Sequence, residues 1–340
     1  MQEHARNQES LQREEPDLSA YRAETERPGA AFPLCFHKGA FVPWDSATLH
    51  VGSLALRYAL SVFEGIRLYR QSANPAVRAF RLEAHLERLR SSLCLMRLPE
   101  PRETDIAWII DELVRRNNVE SDSYVRVSVS PDNAGDIAAQ GRACLSVTVT
   151  RMGRKRWLAE GKAMKVAVSC WQRSHDLAFP SAAKNISNYA GPRLALLEAR
   201  DHGFDNVVLT THDGFLCEGP TATLFLVKEG VVLSPPLSDG ILPSITRATV
   251  FEICEALGIP ALERRLSRTD AFLADEAFLC GTGVEFAPIE RFDGYELRHA
   301  EQRPVTSRII DAYFRLARGG VIGPVDGAEV EDPAKEANYD

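Results

Sequence analysis

The sequence predicts an α+β fold divided between two domains. The chain has 340 residues, which exceeds one typical domain and is enough to bury a sizeable core. Strand-like and helix-like patterns occur in both halves, and they do not alternate in strict strand–helix–strand order. This combination indicates the α+β class.

The first half carries two helical and two strand-like patterns. Pro99 disfavours helical geometry in the residue before it, so the first helix should end before this proline. Thr104 or Asp105 can cap the second helix. Strands are predicted where apolar and polar residues alternate. The helices are predicted over Leu82–Met96 and Thr104–Asn118, and the strands over Ser123–Ser130 and Cys144–Thr150.

The second half is richer in short strands. Gly203 stands where a left-handed helix cap requires glycine. Turns at residues 212–214 and 229–230 separate short apolar segments, which predicts a run of hairpins. The strands are predicted over Ala163–Ser169, Asn206–Thr211, Leu224–Lys228 and Val231–Leu233, and the helices over Tyr189–His202, Ile245–Leu257 and Val305–Leu316.

Composition suggests how the chain is divided. Residues 1–29 and 323–340 contain few apolar positions and are expected to be flexible tails, since they cannot offset the entropy of ordering. The charged segment 151–161, which ends in glycine, is expected to connect the domains. We therefore expect a small domain over residues 30–150 and a large domain over residues 162–322.

Several functional classes are disfavoured. The net charge of -7 provides no basic surface for nucleic acid. No apolar run is long enough to span a bilayer, and the first residues lack the apolar core of a signal peptide, so a cytoplasmic enzyme is expected. The seven cysteines are scattered singly and the histidines show no ligand spacing, so no metal site is predicted.

Lys184 is the most informative basic residue. Only seven lysines occur in a chain that otherwise uses arginine, and Lys184 alone lies among small and neutral residues, in PSAAKNISNY. An uncharged environment lowers the pKa of an amine and improves it as a nucleophile towards a carbonyl carbon. Taken by itself, this segment is better explained by an ordinary lysine in a polar loop.

Other segments are suited to binding anions. Residues 244–247 follow a proline and open a helix, and residues 281–283 offer free amides in a glycine-rich turn. A two-residue period places Tyr124 and Arg126 on one face of their strand, where an arginine can grip a carboxylate. Helix capping, a simple turn and a surface arginine are the alternatives for each segment alone.

The order of these segments resembles one family closely. Seven motifs occur in the order of the branched-chain amino acid aminotransferases, which belong to the class IV, fold-type IV group of pyridoxal-phosphate enzymes. The resemblance covers roughly residues 30 to 320. The motifs are SVFEGIRLY (61–69), FRLEAHLERL (80–89), YVR (124–126), SAAKNISNY (181–189), CEGPTATLF (217–225), LPSITR (242–247) and LADEAFLCGTG (273–283).

The resemblance implies a complete cofactor site. It implies that Lys184 holds pyridoxal 5'-phosphate as a Schiff base and carries the proton during transamination. It assigns the cofactor phosphate to Arg88, Ile245, Thr246 and Thr282, the phenolic oxygen to Tyr189, and the pyridine nitrogen to Glu218. The positions matching the substrate pocket are Tyr58, Phe63, Gly65, Arg67, Tyr124, Arg126, Trp171, Thr282 and Gly283, of which Tyr58 is expected to reach a neighbouring subunit.

The same resemblance sets expectations for architecture and activity. It implies a small α/β amino-terminal domain and a larger domain with barrel-like β-structure. It also implies a homodimer that moves amino groups between a branched-chain or other hydrophobic L-amino acid and 2-oxoglutarate.

The sequence departs from the family pattern near the cofactor. Ala222 and Thr223 replace an acid and an asparagine, and Ile186-Ser187 replaces a glycine pair. Asn185, Val127 and Gly283 are further differences. We hypothesise that transamination is retained with a shifted or specialised substrate range.

Alternative activities remain at this point. An aminodeoxychorismate lyase, a D-amino acid transaminase and an (R)-amine transaminase share the fold, but Tyr124 with Arg126 and Phe63 with Arg67 match the L-selective branched-chain pattern better. A non-catalytic scaffold on the same fold is disfavoured, because it has no physical reason to keep an amine, a phosphate clamp and a ring-nitrogen acid in register.

Overall fold

The protein has a mixed α/β structure built on two sheets, in agreement with the predicted α+β class. The structure is a computed structural model, and it describes residues 29–322. The predicted tails therefore lie outside the described residues, apart from Gly29.

The first sheet has six strands in the order β2-β1-β6-β5-β3-β4, and all of its pairings are antiparallel. Its strands are β1 (Leu34–His37), β2 (Ala40–Pro43), β3 (Val62–Arg70), β4 (Val77–Ala79), β5 (Ser123–Pro131) and β6 (Ala143–Arg151). The accompanying helices are α1 (Leu54–Arg57), α2 (Leu82–Leu95) and α3 (Ile106–Arg116).

The two faces of this sheet differ because side chains alternate along each strand. Val125, Val127 and Val129 of β5 are buried in a core with α2 and α3. Burial of this apolar face provides the main stabilisation of the unit. The opposite face carries Tyr124 and Arg126, so the predicted alternation along β5 is confirmed.

The second sheet has eight strands, in the order β11-β10-β9-β12-β13-β7-β8 with β14 paired to β13. They are β7 (Met164–Gln172), β8 (Asn206–Thr210), β9 (Thr223–Lys228), β10 (Val231–Ser234), β11 (Ala261–Glu263), β12 (Glu276–Gly281), β13 (Glu285–Phe292) and β14 (Tyr295–Glu296). The remaining helices are α4 (Arg156–Ala159), α5 (Ala190–Asp201), α6 (Ile245–Ala256), α7 (Arg268–Phe272) and α8 (Pro304–Ala317).

The two edges of the second sheet approach each other through Leu216. This residue forms one isolated bridge to Thr210, at the end of β8, and another to Leu266, just beyond β11. The Leu216 amide donates to the Leu266 carbonyl over 2.7 Å. The arrangement is therefore barrel-like, as the resemblance implied.

The predicted run of hairpins is only partly correct. Strands β9 and β10 form the expected antiparallel hairpin. The predicted hairpin between Asn206–Thr211 and Leu224–Lys228 is wrong, because β8 pairs in parallel with β7 while β9 pairs with β10 and β12. Residues 211–222 separate the two strands, and this connection is much longer than the loop of about 2–5 residues that joins a tight hairpin.

The predicted long helices are confirmed to within two residues at each end. Asp105 caps α3 by accepting a hydrogen bond from the Trp108 amide. A short 3-10 helix, Ile186–Tyr189, precedes α5 and was not anticipated by the periodicity. Within residues 29–322, no helix combines the length and apolar character needed to cross a membrane.

Buried contacts join the two halves of the chain. Arg318, directly after α8, forms an ion pair with Asp122 beside the first sheet, with a nitrogen–oxygen distance of 2.7 Å. An aromatic cluster continues this contact, in which Tyr69 of β3 lies against Phe314 of α8. Because both contacts are buried, the halves are held in a defined relative position.

Two glycines, one within α5 and one just after it, should respond differently to alanine. Gly203 has φ +81°, a region that disfavours a Cβ atom, whereas Gly191 lies within α5 without a positive φ. Apart from the adjoining residues, an added methyl would meet no atom within 4 Å at either site. We expect Gly203→Ala to lower the free energy of unfolding by about 1–2 kcal/mol. Gly191→Ala should change it by less, because the lower entropy of the unfolded chain is opposed by contact of the new Cβ atom with the following Pro192. Denaturant unfolding at pH 7 measures both, and equal shifts of one sign would contradict the prediction.

Candidate active site

A cavity of about 570 Å³ lies between the two sheets and gathers most of the predicted site residues. Its walls come from β3, β5, the segment around Lys184, the loop before β9, the start of α6 and the turn after β12. The predicted site residues that line it are Phe63, Gly65, Arg88, Tyr124, Arg126, Lys184, Tyr189, Glu218, Thr282 and Gly283.

Lys184 is held at one wall by its own backbone. Its carbonyl accepts a hydrogen bond from the Phe63 amide over 3.0 Å, and its amide donates to the Ser92 hydroxyl of α2 over 3.0 Å. The Ile186 amide donates to the Ser61 carbonyl over 3.0 Å, so residues 184–186 extend the edge of β3. The sheet therefore fixes the position of the lysine.

The amine of Lys184 points to aromatic and hydroxyl groups. Its Nζ donates to the Tyr189 hydroxyl over 3.0 Å and lies 4.8 Å from the centre of the Phe63 ring. Among the acids of residues 29–322, none forms an ion pair with this amine. A primary amine without a carboxylate partner, next to a phenol, is suited to attack a carbonyl carbon and to exchange protons.

Glu218 and Arg173 form another part of the cavity wall. The Arg173 Nε lies 2.6 Å from Glu218 Oε1, and both side chains are buried. The Leu242 amide lies 3.3 Å from the second carboxylate oxygen. Burial lowers the pKa of Arg173, but Glu218 more than offsets this and the pKa is raised overall. The pair therefore places a buried carboxylate at the cavity wall.

Arg88 lies near the start of α6, where free amides occur. Its guanidinium contacts Glu64 and the Pro243 carbonyl. The Ser244 side chain caps α6 by accepting from the Arg247 amide over 3.2 Å. Ile245 and Thr246 are the first residues of the helix, whose amides have no intrahelical acceptor. A cation beside a helix start is a favourable site for a phosphate.

Gly65 of β3 and Tyr124 of β5 pack closely together in the cavity wall. An ideal Cβ at Gly65 would stand 1.7 Å from the Tyr124 hydroxyl oxygen, so the tyrosine occupies the space that glycine leaves. Burial raises the pKa of Tyr124 to about 12, which keeps the phenol protonated and able to donate. Arg126 stacks on Phe63, with 3.9 Å from its guanidinium carbon to the ring centre.

Five residues implied by the resemblance do not line the cavity. Two of them, Ile245 and Thr246, are the first residues of α6, directly after the lining residue Ser244. Arg67 is buried and binds Glu285 at 2.7 Å and the Met152 and Gly153 carbonyls. Trp171 is 38% exposed and donates to Glu198. Tyr58 follows α1, next to Arg57.

Other cavity residues were not expected. Met152 lines the wall, and Arg67 fixes its carbonyl. Arg173 also lines the cavity. Glu64 and Glu285 support the cavity wall, because they bind Arg88 and Arg67. Nothing in the sequence separates these residues from ordinary surface charges, since their partners are distant along the chain.

The residues that depart from the family pattern make contacts of their own. Asn185 caps the 3-10 helix by accepting from the Asn188 amide over 3.2 Å, and the Ser187 hydroxyl donates to the Ala59 carbonyl over 2.9 Å. The Gly219 amide donates to the Ala222 carbonyl over 2.7 Å and closes the turn before β9. Ile186 and Thr223 line the cavity.

Comparison with known proteins is decisive. A family model described as "Amino-transferase class IV" matches residues 61–292. The chain belongs to this family.

Individual relatives agree with the assignment. The branched-chain-amino-acid aminotransferase of Salmonella typhimurium is 35% identical over 286 residues, which cover 83% of this chain and 92% of the relative. The holo-form branched-chain amino acid aminotransferase of Thermobaculum terrenum has a TM-score of 0.78 at 31% identity, covering 85% of this chain and 95% of that one. The branched-chain amino acid aminotransferase of Escherichia coli has a TM-score of 0.79 at 32% identity, covering 85% of this chain and 95% of that one. This class IV chain is thus an aminotransferase, and the other activities considered are not favoured.

The residues of this class IV aminotransferase fit the cofactor that the family implies, pyridoxal 5'-phosphate. Lys184 offers the aldehyde an amine without an acidic partner, and Arg88 together with the start of α6 can bind the phosphate. The buried carboxylate of Glu218 also lines the cavity. No acidic group beside Lys184 opposes this arrangement among the described residues.

Gly65→Ala tests the close approach of Tyr124. The added methyl must displace the tyrosine hydroxyl, so we expect kcat/KM for transamination to fall at least tenfold, because about 1.4 kcal/mol of lost stabilisation has this effect. Gly294→Ala is the matched comparison, since its methyl meets no atom within 4 Å, its φ is not positive and it lies outside the cavity. Steady-state kinetics of both variants measures the effect, and an equal loss in Gly294→Ala would disprove it.

Proposed function

We propose that this protein is a pyridoxal-phosphate-dependent aminotransferase that exchanges amino groups between a branched-chain or other hydrophobic L-amino acid and 2-oxoglutarate. The observation that carries the proposal is Lys184, an amine without an acidic partner in a cavity that has an anion-binding end and a carboxylate end. The names of the relatives support the branched-chain donor. A further solved branched-chain amino acid aminotransferase, 30% identical to this chain, is complexed with N-(5'-phosphopyridoxyl)-L-glutamate, and this adduct supports 2-oxoglutarate.

The cofactor contacts follow from the positions of the side chains. Arg88, the first amides of α6 at Ile245 and Thr246, and Thr282 would hold the phosphate. Tyr189, which already contacts Lys184, would hold the phenolic oxygen. Glu218, paired with Arg173, would face the pyridine nitrogen and favour its protonated form.

The bound cofactor supplies the electron sink that makes loss of the substrate Cα proton feasible. Lys184 would hold the cofactor at rest. Once freed, its amine would accept the proton from the substrate Cα and donate it to the cofactor carbon on the other side of the amino nitrogen. The backbone contacts with β3 and α2 keep this amine at one place while it does so. Tyr189 is within hydrogen-bond distance of the amine and can orient it.

The substrate would lie against the first sheet. Arg126 and the protonated Tyr124 would bind carboxylate oxygens, together with the turn at Thr282 and Gly283. Phe63, Ile186 and Met152 offer an apolar surface to a hydrophobic side chain. This division suits a site that must accept both an apolar donor and a dicarboxylate acceptor.

The assembly and organisation that we propose follow the family. We propose a homodimer in which Tyr58, outside the cavity of its own chain, reaches the neighbouring site. We also propose that residues 30–150 and 162–322 act as two domains joined by residues 151–161, and that the enzyme works in the cytoplasm.

Lys184→Ala tests the attachment of the cofactor. We expect wild-type protein to absorb visible light and the variant to lose both this band and essentially all transaminase activity, because no other amine lines the cavity among residues 29–322. Borohydride trapping followed by peptide mapping should locate the pyridoxyl group at position 184. Lys165→Ala, at an exposed position of β7, is the control and should keep the band. An adduct on another lysine would refute the assignment.

Arg126→Met tests recognition of the acceptor. Loss of a charge-assisted hydrogen bond, worth about 1.5–3 kcal/mol, should raise the KM for 2-oxoglutarate at least tenfold. Arg70→Met, at the exposed end of β3, provides the control. The measurement is a kinetic panel with 2-oxoglutarate and with leucine, isoleucine and valine as donors. An unchanged KM for 2-oxoglutarate would remove Arg126 from the substrate site.

A further inference from the structure

Arg88 owes its position to a carboxylate on the opposite face of β3. Phe63 and Gly65 line the cavity, and Glu64 between them points to the other side, because side chains alternate along a strand. Glu64 is fully buried between β3 and α2. No step of the reaction uses this acid, yet it is placed directly behind the cavity wall.

Glu64 grips Arg88 with both of its oxygens. The Arg88 Nε donates to Oε1 over 2.7 Å, and Nη2 donates to Oε2 over 2.8 Å. The Arg88 Nη1 donates to the Pro243 carbonyl over 2.8 Å, just before α6. A guanidinium has five N–H donors, so three are used and one remains on each terminal nitrogen. These contacts fix the plane of the guanidinium and leave only its outer edge for an anion.

His85 completes this arrangement from α2. Its Nδ1 lies 2.7 Å from Glu64 Oε2, and because an ionised carboxylate only accepts, Nδ1 carries the proton. Burial lowers the pKa of His85, which favours the neutral ring. Burial also tends to raise the pKa of Glu64, but Arg88 and His85 outweigh it and the pKa falls to about 2. The acid thus remains ionised at neutral pH.

We propose that Glu64, supported by His85, is the positioning residue for the phosphate-binding Arg88 and determines how strongly the site prefers a phosphorylated cofactor. The inference rests on the proposed role of Arg88. It opposes a simple electrostatic expectation, in which removing a negative charge behind the arginine would strengthen phosphate binding. The geometry favours the opposite result, since an arginine that is free to rotate no longer presents its outer edge to the cavity.

The test is a comparison of two cofactors. The full-length chain, freed of cofactor, is titrated with pyridoxal 5'-phosphate and with pyridoxal, and visible absorbance gives both dissociation constants. The dissociation constant for pyridoxal divided by that for pyridoxal 5'-phosphate measures recognition of the phosphate alone. We expect this ratio to fall at least tenfold in Glu64→Gln and in Arg88→Met. The double variant should be no lower than Arg88→Met, because both changes act through one guanidinium.

Two further variants separate positioning from charge and from folding. Glu64→Asp keeps the charge but withdraws the carboxylate, so its ratio should also fall, and it serves if Glu64→Gln does not fold. Glu276→Gln changes another buried acid, which accepts from the Val305 and Thr306 amides at the start of α8 and does not line the cavity. This control should lower stability while leaving the ratio within twofold.

Each outcome decides between the claims. An unchanged or higher ratio in the Glu64 variants, or additive losses in the double variant, would overturn the role of Glu64. If wild type shows a preference that Arg88→Met abolishes and Glu64→Gln does not, only this inference fails. If wild type does not distinguish the two cofactors, the proposed role of Arg88 fails with it.

Discussion

Charge matching within the protein interior is the constraint on which the site depends. Three buried or nearly buried arginines surround the cavity, and each is paired with a carboxylate: Arg67 with Glu285, Arg88 with Glu64 and Arg173 with Glu218. An unpaired charge in such a place is strongly unfavourable, so removing any one acid would disturb the cavity wall as well as the pair. Among the described residues, Arg126 is the cavity guanidinium that has no acidic partner. The fold therefore leaves one cavity arginine whose charge no carboxylate neutralises.

Strand β3 carries these separate contacts within a few residues. Its edge holds Lys184 through the Phe63 amide, Gly65 makes room for Tyr124, and Glu64 holds Arg88 from behind. Further along the strand, Arg67 binds the carbonyl of Met152 and so places another wall residue. Amine, substrate wall and anion cradle thus share one rigid element. A strand in the middle of a sheet is well suited to this, because its backbone cannot shift without breaking the ladder on the far side.

The sequence predicted the local structure well and the pairing poorly. Helix ends were fixed by Asp105 and by glycines after the last turn, and strand faces by alternation, since these signals are local. Arg173 and Glu285 escaped notice because their partners lie 45 and 218 residues away. Trp171 was implied by the resemblance alone, and no pattern in the sequence placed its side chain. In the structure it lies outside the cavity and its indole donates to Glu198, on a part of β7 where the register against β8 shifts between Val168 and Gln172.

The ion pairs also explain why the cavity suits a doubly charged phosphate. Arg88 is neutralised by Glu64 and Arg173 by Glu218, so neither pair contributes a net charge. The groups that no carboxylate neutralises are Arg126, the amine of Lys184 and the start of α6. A helix start acts as roughly half a positive charge. A phosphate monoester carries about −1.5 to −2 charges near neutral pH, and a substrate adds a carboxylate. Attraction of this size, spread over fixed donors, orients an anionic ligand without an excess of buried positive charge. Glu64 and Glu218 are therefore part of the anion site, together with the arginines with which they form ion pairs.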